Sequence, residues 1–159
     1  AGQTVGLIGT KQTVFSKVYD RKIKALRRKI TLKSLATPLL APMIEEGFFD
    51  NTISHSVIET YLNDSHLRGI EALILGCTHY PLVKNEIAHF YKDNVQVIDS
   101  SEIVADAVKH QLETDKLLSA DDSKPARHFL VSDFTQSFEA STKIFFGKKL
   151  HLEQYKLWE

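Results

Sequence analysis

Residues 71–81 read Glu71-Ala72-Leu73-Ile74-Leu75-Gly76-Cys77-Thr78-His79-Tyr80-Pro81, and the fold turns on this stretch. Its first half is an unbroken apolar run closed by a glycine, the pattern of a short strand buried on both faces. Pro81 then stands where proline is best tolerated, in the first turn of a helix, with Leu82, Ile87 and Phe90 behind it. A buried strand that feeds a helix is the repeating unit of a parallel sheet.

The pattern recurs on both sides. Val5 to Thr10 (VGLIGT) predicts another buried strand, and Phe15, Val18, Tyr19, Ile23 and Leu26 recur at helical steps after it. Ile30 to Thr37 predicts a strand stopped by Pro38. Leu39 to Glu46 and Thr52 to Leu62 predict helices separated by Gly47, with Asp50 and Asn51 placed to cap the second. Val95 to Ile98 reads as a strand and Ser101 to Leu112 as a helix. Thr114 to Ala126 is polar and interrupted by Pro125, so it reads as a loop, and Arg127 to Val131, Phe134 to Phe146 and His151 to Tyr155 give strand, helix and strand. Alternation of this kind predicts an α/β fold with a mainly parallel sheet flanked by helices.

Composition narrows the function classes. The chain has 159 residues, 43% of them hydrophobic, enough for one ordinary core. No apolar run approaches the roughly 20 residues of a bilayer span, and no signal segment is visible, so no membrane partner is expected. Twenty basic and twenty acidic residues cancel, which leaves no field to gather nucleic acid. The one basic run, Arg21 to Lys29, is interleaved with Ile23 and Leu26 and reads as a solvated helix face. A single cysteine excludes an internal disulfide and any multi-thiolate metal site, and fits a reducing, cytoplasmic setting.

Cys77 is the residue with chemistry. Ligands in open α/β sheets bind beyond the carboxyl ends of the strands, and Cys77 stands at such an end, before a helix start that favours thiolate and carboxylate. Thr78 adds a hydroxyl, and His79 a group that exchanges protons near neutrality. A core cysteine, a capping histidine and a turn threonine account for the same residues, because free cysteine is among the most buried types. Thr10 and Thr13 likewise read either as carboxylate-binding residues or as helix-capping ones. His55, His66, His89, His110, His128 and His151 show no mutual spacing that suggests a metal cluster, so no metal is assigned.

Leu73 to Leu82 (LILGCTHYPL) as a whole resembles the second cysteine motif of glutamate racemases, and Gly-Cys-Thr-His marks the aspartate/glutamate racemase superfamily. Gly6 to Tyr19 is similar to the segment that opens that family's second domain. Leu39 to Gly47 (LLAPMIEEG) is similar to its proline and paired-glutamate motif, and Val131 to Gly147 to its final strand and helix. The resemblance implies a Rossmann-like racemase domain over residues 1–98 and, over 99–159, the C-terminal part of a second, similar domain whose remainder would precede Ala1. The family's first catalytic cysteine belongs to that upstream half, which would be a partner of this one. Phe134, Phe138, Phe145 and Phe146 are then expected to lack the sheet they would join.

The resemblance also implies the chemistry: racemisation of L- and D-glutamate without a cofactor, by two cysteine bases, supplying D-glutamate for peptidoglycan. Cys77 would be one base, acting on the L enantiomer, and His79 would assist it. Glu46, matching the second glutamate of the motif, would orient His79, with Glu45 a solvated neighbour. Thr78, Thr10 and Thr13 would bind substrate, and a homodimer is a candidate assembly. Aspartate specificity, a Cys/His hydrolase or transferase with Cys77 as nucleophile, and a non-catalytic carboxylate-binding module stay open beside this reading.

Overall fold

The computed structural model describes residues 2–119, 124–133, 142–143, 146–148 and 150–157. Two compact units divide the chain, Ala1–Lys109 and His110–Glu159.

The first unit is built on four parallel strands, β1 (Gln3–Gly9), β2 (Ile30–Ala36), β3 (Ala72–Gly76) and β4 (Gln96–Asp99), in the order β2-β1-β3-β4. The chain adds β2 on one side of β1, returns across it, and adds β3 and β4 on the other. This doubly wound order opens a crevice between β1 and β3, at the carboxyl ends of the strands. The register aligns those ends: Gly9 pairs with Ala36 and with Gly76, and Leu75 with Asp99.

The crossovers are α1 (Lys11–Phe15), α2 (Val18–Ala25), α3 (Leu40–Glu45), α4 (Thr52–Leu62) and α5 (Lys84–Phe90), and α6 (Ser100–Thr114) follows β4. Short 3-10 turns at Ser65–Leu67 and Tyr80–Val83 precede β3 and α5. Leu40, Ile44, Ile58, Leu62, Val83 and Ile87 pack from these helices against Ile8, Leu73 and Leu75 of the sheet. Each such side chain removed from water contributes about 1.5–3 kcal/mol before the cost of ordering it. Asn51 starts α4 as expected: its side chain accepts from the amides of Ile53 and Ser54, while its own amide donates to the Ser54 hydroxyl.

Two expectations need correction. The helix after β1 is two pieces, because Lys17 takes a left-handed conformation (φ 55°) between α1 and α2. Phe15, Val18 and Leu26, periodic in sequence, are exposed, so their spacing gave the helical form without its burial. The basic run leaves the helix after Ala25 and is solvated throughout. The first compact unit extends to Lys109. The start of α6 is tied to it by the Ser100 hydroxyl, which donates to the Leu75 carbonyl at 3.1 Å, and by Lys84, 3.2 Å from Glu102.

In the second unit β5 (Phe129–Val131) pairs in parallel with β6 (Leu152–Gln154). Phe129 and Phe146 meet edge to face, with ring centres 5.4 Å apart. Most of the expected helix from Phe134 to Phe146, including Phe134, Phe138 and Phe145, lies outside the described residues.

Candidate active site at the end of β3

Cys77 follows the last residue of β3, and the chain turns there into the 3-10 helix, with His79 as its N-cap residue and Pro81 in its first turn. The turn is pinned from below. Tyr80 is fully buried; its hydroxyl lies 2.7 Å from that of Thr37, which in turn donates to the Gly9 carbonyl at 3.3 Å. Residues that follow the ends of β2 and β3 are thus bonded to each other and to the end of β1. Burial pushes the Tyr80 phenol up to about 12, against a smaller opposing effect of the Thr37 hydrogen bond.

Above this anchor stand three groups in line. The Cys77 Sγ is 3.5 Å from His79 Nδ1, and His79 Nε2 is 3.0 Å from Glu45 Oε1. An ionised carboxylate only accepts, so Glu45 favours the proton on Nε2 and leaves Nδ1 as the acceptor facing the thiol. The array can therefore take a proton from Sγ onto the imidazole and stabilise the resulting cation through Glu45. The cysteine is half-buried, whereas Glu45 is 55% exposed, so the carboxylate acts through water-screened charge.

Glu46 is the glutamate expected beside His79, and in the structure its neighbour Glu45 stands there. Successive helical residues point about 100° apart, and it is Glu45 whose carboxylate lies 3.0 Å from His79 Nε2. Glu46 caps the end of α3 and lines an apolar depression with Leu39, Pro42, Met43, Phe48, Ile53 and Val57. The sequence held a usable signal. Glu45 stands one helical turn after Ala41, the smaller of the two candidates, and Glu46 one turn after Pro42.

Thr10 and Thr13 lie across the crevice at the end of β1. The Thr10 hydroxyl accepts from the Thr13 amide at 3.2 Å and lies 3.0 Å from the Thr13 hydroxyl, so the capping role is real. Both also line a cavity of about 470 Å³ with Gln12, Ser16, Tyr19 and Gly76. Gly76 is required at its floor: a Cβ there would come within 2.7 Å of Leu7 Cδ1 and 2.9 Å of the Ile8 carbonyl oxygen. Thr78 stands exposed between Cys77 and His79.

The fold also gathers a group that spacing did not reveal. Asp50, from the loop before α4, His55 from α4 and Glu86 from α5 bring one ligand atom each within 4.8 Å of one another. The cluster holds one histidine and two carboxylates, so the mutual spacing of the histidines does not bear on it.

A family model described as Asp/Glu/Hydantoin racemase matches residues 1–108. This chain belongs to that family. Over 146 residues it is 36% identical to a glutamate racemase of Geobacter metallireducens, covering 92% of this chain and 54% of the relative. It is 38% identical to the glutamate racemase of Chlorobium phaeobacteroides over the same shares. Among solved structures, glutamate racemase from Francisella tularensis in complex with D-glutamate superposes with a TM-score of 0.85 at 36% identity, covering 96% of this chain and 58% of that one. The chain thus spans about half the length of the curated relatives it matches. The α/β fold with its parallel sheet is the fold of those racemases. Among the described residues of this family member, no helix is long and apolar enough to cross a membrane.

Proposed function

We propose that this chain carries one acid/base face of a glutamate racemase, with Cys77 as the group that removes and returns the Cα proton. The observation that carries the reading is the line from Cys77 Sγ through His79 to Glu45 at the carboxyl end of β3, beside the Thr10 and Thr13 cavity. Racemisation requires a proton to leave one face of Cα and another to arrive on the opposite face. A single thiol serves one face, so a second base, supplied from outside this chain, completes the reaction without a cofactor. In this reading His79 holds the proton exchanged with the thiol, Glu45 holds His79, and the Thr10, Thr13 and Thr78 hydroxyls with their amides receive the substrate carboxylates. Residues 99–159 would complete the companion domain. The product would be D-glutamate for peptidoglycan, made in the cytoplasm.

The test is Cα hydrogen exchange of L- and D-glutamate in D2O, followed by NMR, together with net racemisation followed by circular dichroism. The chain alone should give no efficient net conversion, and a complete enzyme carrying it should lose racemisation on Cys77→Ala. Efficient L-to-D conversion by the chain alone would defeat the two-base reading. A thioester trapped on Cys77 would turn the assignment toward acyl transfer.

A further inference from the structure

We propose that Asp50, His55 and Glu86 form a binding site for one divalent transition-metal ion of the zinc class, which would clamp the start of α4 to α5. The site shares no residue with the Cys77 array. Three observations support it.

The first is ligand geometry. Zinc bonds of about 2.0–2.1 Å at tetrahedral angles put neighbouring ligand atoms about 3.3–3.4 Å apart. His55 Nε2 and Glu86 Oε2 are 3.4 Å apart already, and the Asp50 carboxylate is close enough to add a third ligand by a side-chain rotation.

The second is that Glu86 is held by groups other than the proposed ligand atoms. The Asp50 amide donates to Glu86 Oε1 at 2.9 Å, and the Ser54 hydroxyl lies 3.2 Å from Glu86 Oε2. Glu86 is consequently oriented by groups that leave lone pairs on its oxygens for an ion, the arrangement that outer partners impose on metal-bound carboxylates. Asp50 itself is fixed in a left-handed turn, φ 54°, immediately before the α4 cap.

The third is room and chemistry. His55 and Glu86 border a small cavity of about 70 Å³ that Glu59 and His89 also line. That space beside His55 and Glu86 is enough for a water ligand of the ion, which needs about 10–15 Å³. One imidazole with two carboxylates suits zinc, nickel or copper better than calcium or magnesium, which take all-oxygen shells.

The test uses the purified 159-residue chain and its Cys77→Ser variant, the latter to remove thiolate binding. Zinc should bind one-to-one by calorimetry in both. At free zinc near 100 times its Kd the unfolding equilibrium constant should fall by about a hundredfold, read as a rise in Tm. Cobalt as a probe should give the visible bands of a four-coordinate nitrogen and oxygen site, without thiolate charge transfer. His55→Ala, at an exposed position that leaves the fold intact, should abolish the Tm rise. Asp50→Asn should weaken binding while keeping the amide that holds Glu86. Zinc stabilising His55→Ala as much as the parent, zinc binding lost in Cys77→Ser, or no zinc-dependent Tm rise in the parent would each overturn the proposal.

Discussion

Glu45→Gln, set against Glu46→Gln, tests the proton array directly, because the chain holds one cysteine and every alkylated thiol is Cys77. Glu45 Oε1 lies 3.0 Å from His79 Nε2, and the carboxylate is 55% exposed. Unscreened charges at that distance would interact strongly, but exposed pairs contribute only about 0.2–1 kcal/mol. Taking about 1 kcal/mol, loss of the Glu45 charge lowers the population of thiolate beside imidazolium about fivefold. A more basic thiolate is a better nucleophile, which offsets close to half of that effect on a logarithmic scale. The expected slowing of iodoacetamide alkylation at neutral pH is therefore about two- to threefold. His79→Asn removes a charge-assisted contact of about 1.5–3 kcal/mol, and the same offset leaves a slowing of about four- to fifteenfold. Glu46→Gln should match the parent. If Glu46→Gln slowed alkylation as much as Glu45→Gln, or if His79→Asn left the rate unchanged, the array as drawn would be wrong.

Gly76→Ala should destabilise the protein by about 1–3 kcal/mol, since the added methyl meets Leu7 and the Ile8 carbonyl; an unchanged midpoint in urea would contradict that packing. Asn51→Ala should cost about 1 kcal/mol through the lost α4 cap, and a Tm equal to the parent's would show that the cap contributes nothing. Burial raises Tyr80 and Tyr91 to about 12, so the folded chain keeps both phenol protons that the unfolded chain releases near 10.0. Their contribution to stability is complete below pH 10.0 and is lost as pH climbs toward 12. Near-ultraviolet absorbance should show two phenols ionising only as pH climbs toward 12, and the absence of a transition there in the folded protein would refute it.

The strands were legible because a strand covered on both faces must be apolar throughout, as 73–75 and 5–8 are, and because Gly76 and Pro81 punctuate the turn to a helix. What escaped depended on partners distant in sequence. Phe15, Val18 and Leu26 have helical spacing, but spacing does not say what lies opposite, and the break at Lys17 has no glycine or proline to announce it. Tyr80 reaches Thr37 across 43 positions, so its role below Cys77 exists only once the sheet is assembled. The choice between Glu45 and Glu46 was one of helical phase, where resemblance to a family pointed to the neighbour of the residue that faces His79. Asp50 and His55 lie at the start of α4 and Glu86 on α5, so only the packing of α4 on α5 brings the three together.

The aligned strand ends make the site a ruler. Neighbouring strands stand about 4.7–4.9 Å apart, so polar groups mounted on the ends of β1, β2 and β3 are graduated in that unit: Thr10 stands one interval from Cys77, and Thr37 two. Backbone hydrogen bonding sets the interval, and no side-chain replacement rescales it. On the proposed function, discrimination between substrates of different length would come from which graduation carries the anchoring hydroxyl and from the loops above it. A programme to alter specificity would do best to move functional groups between strand ends, leaving the spacing of the strands alone.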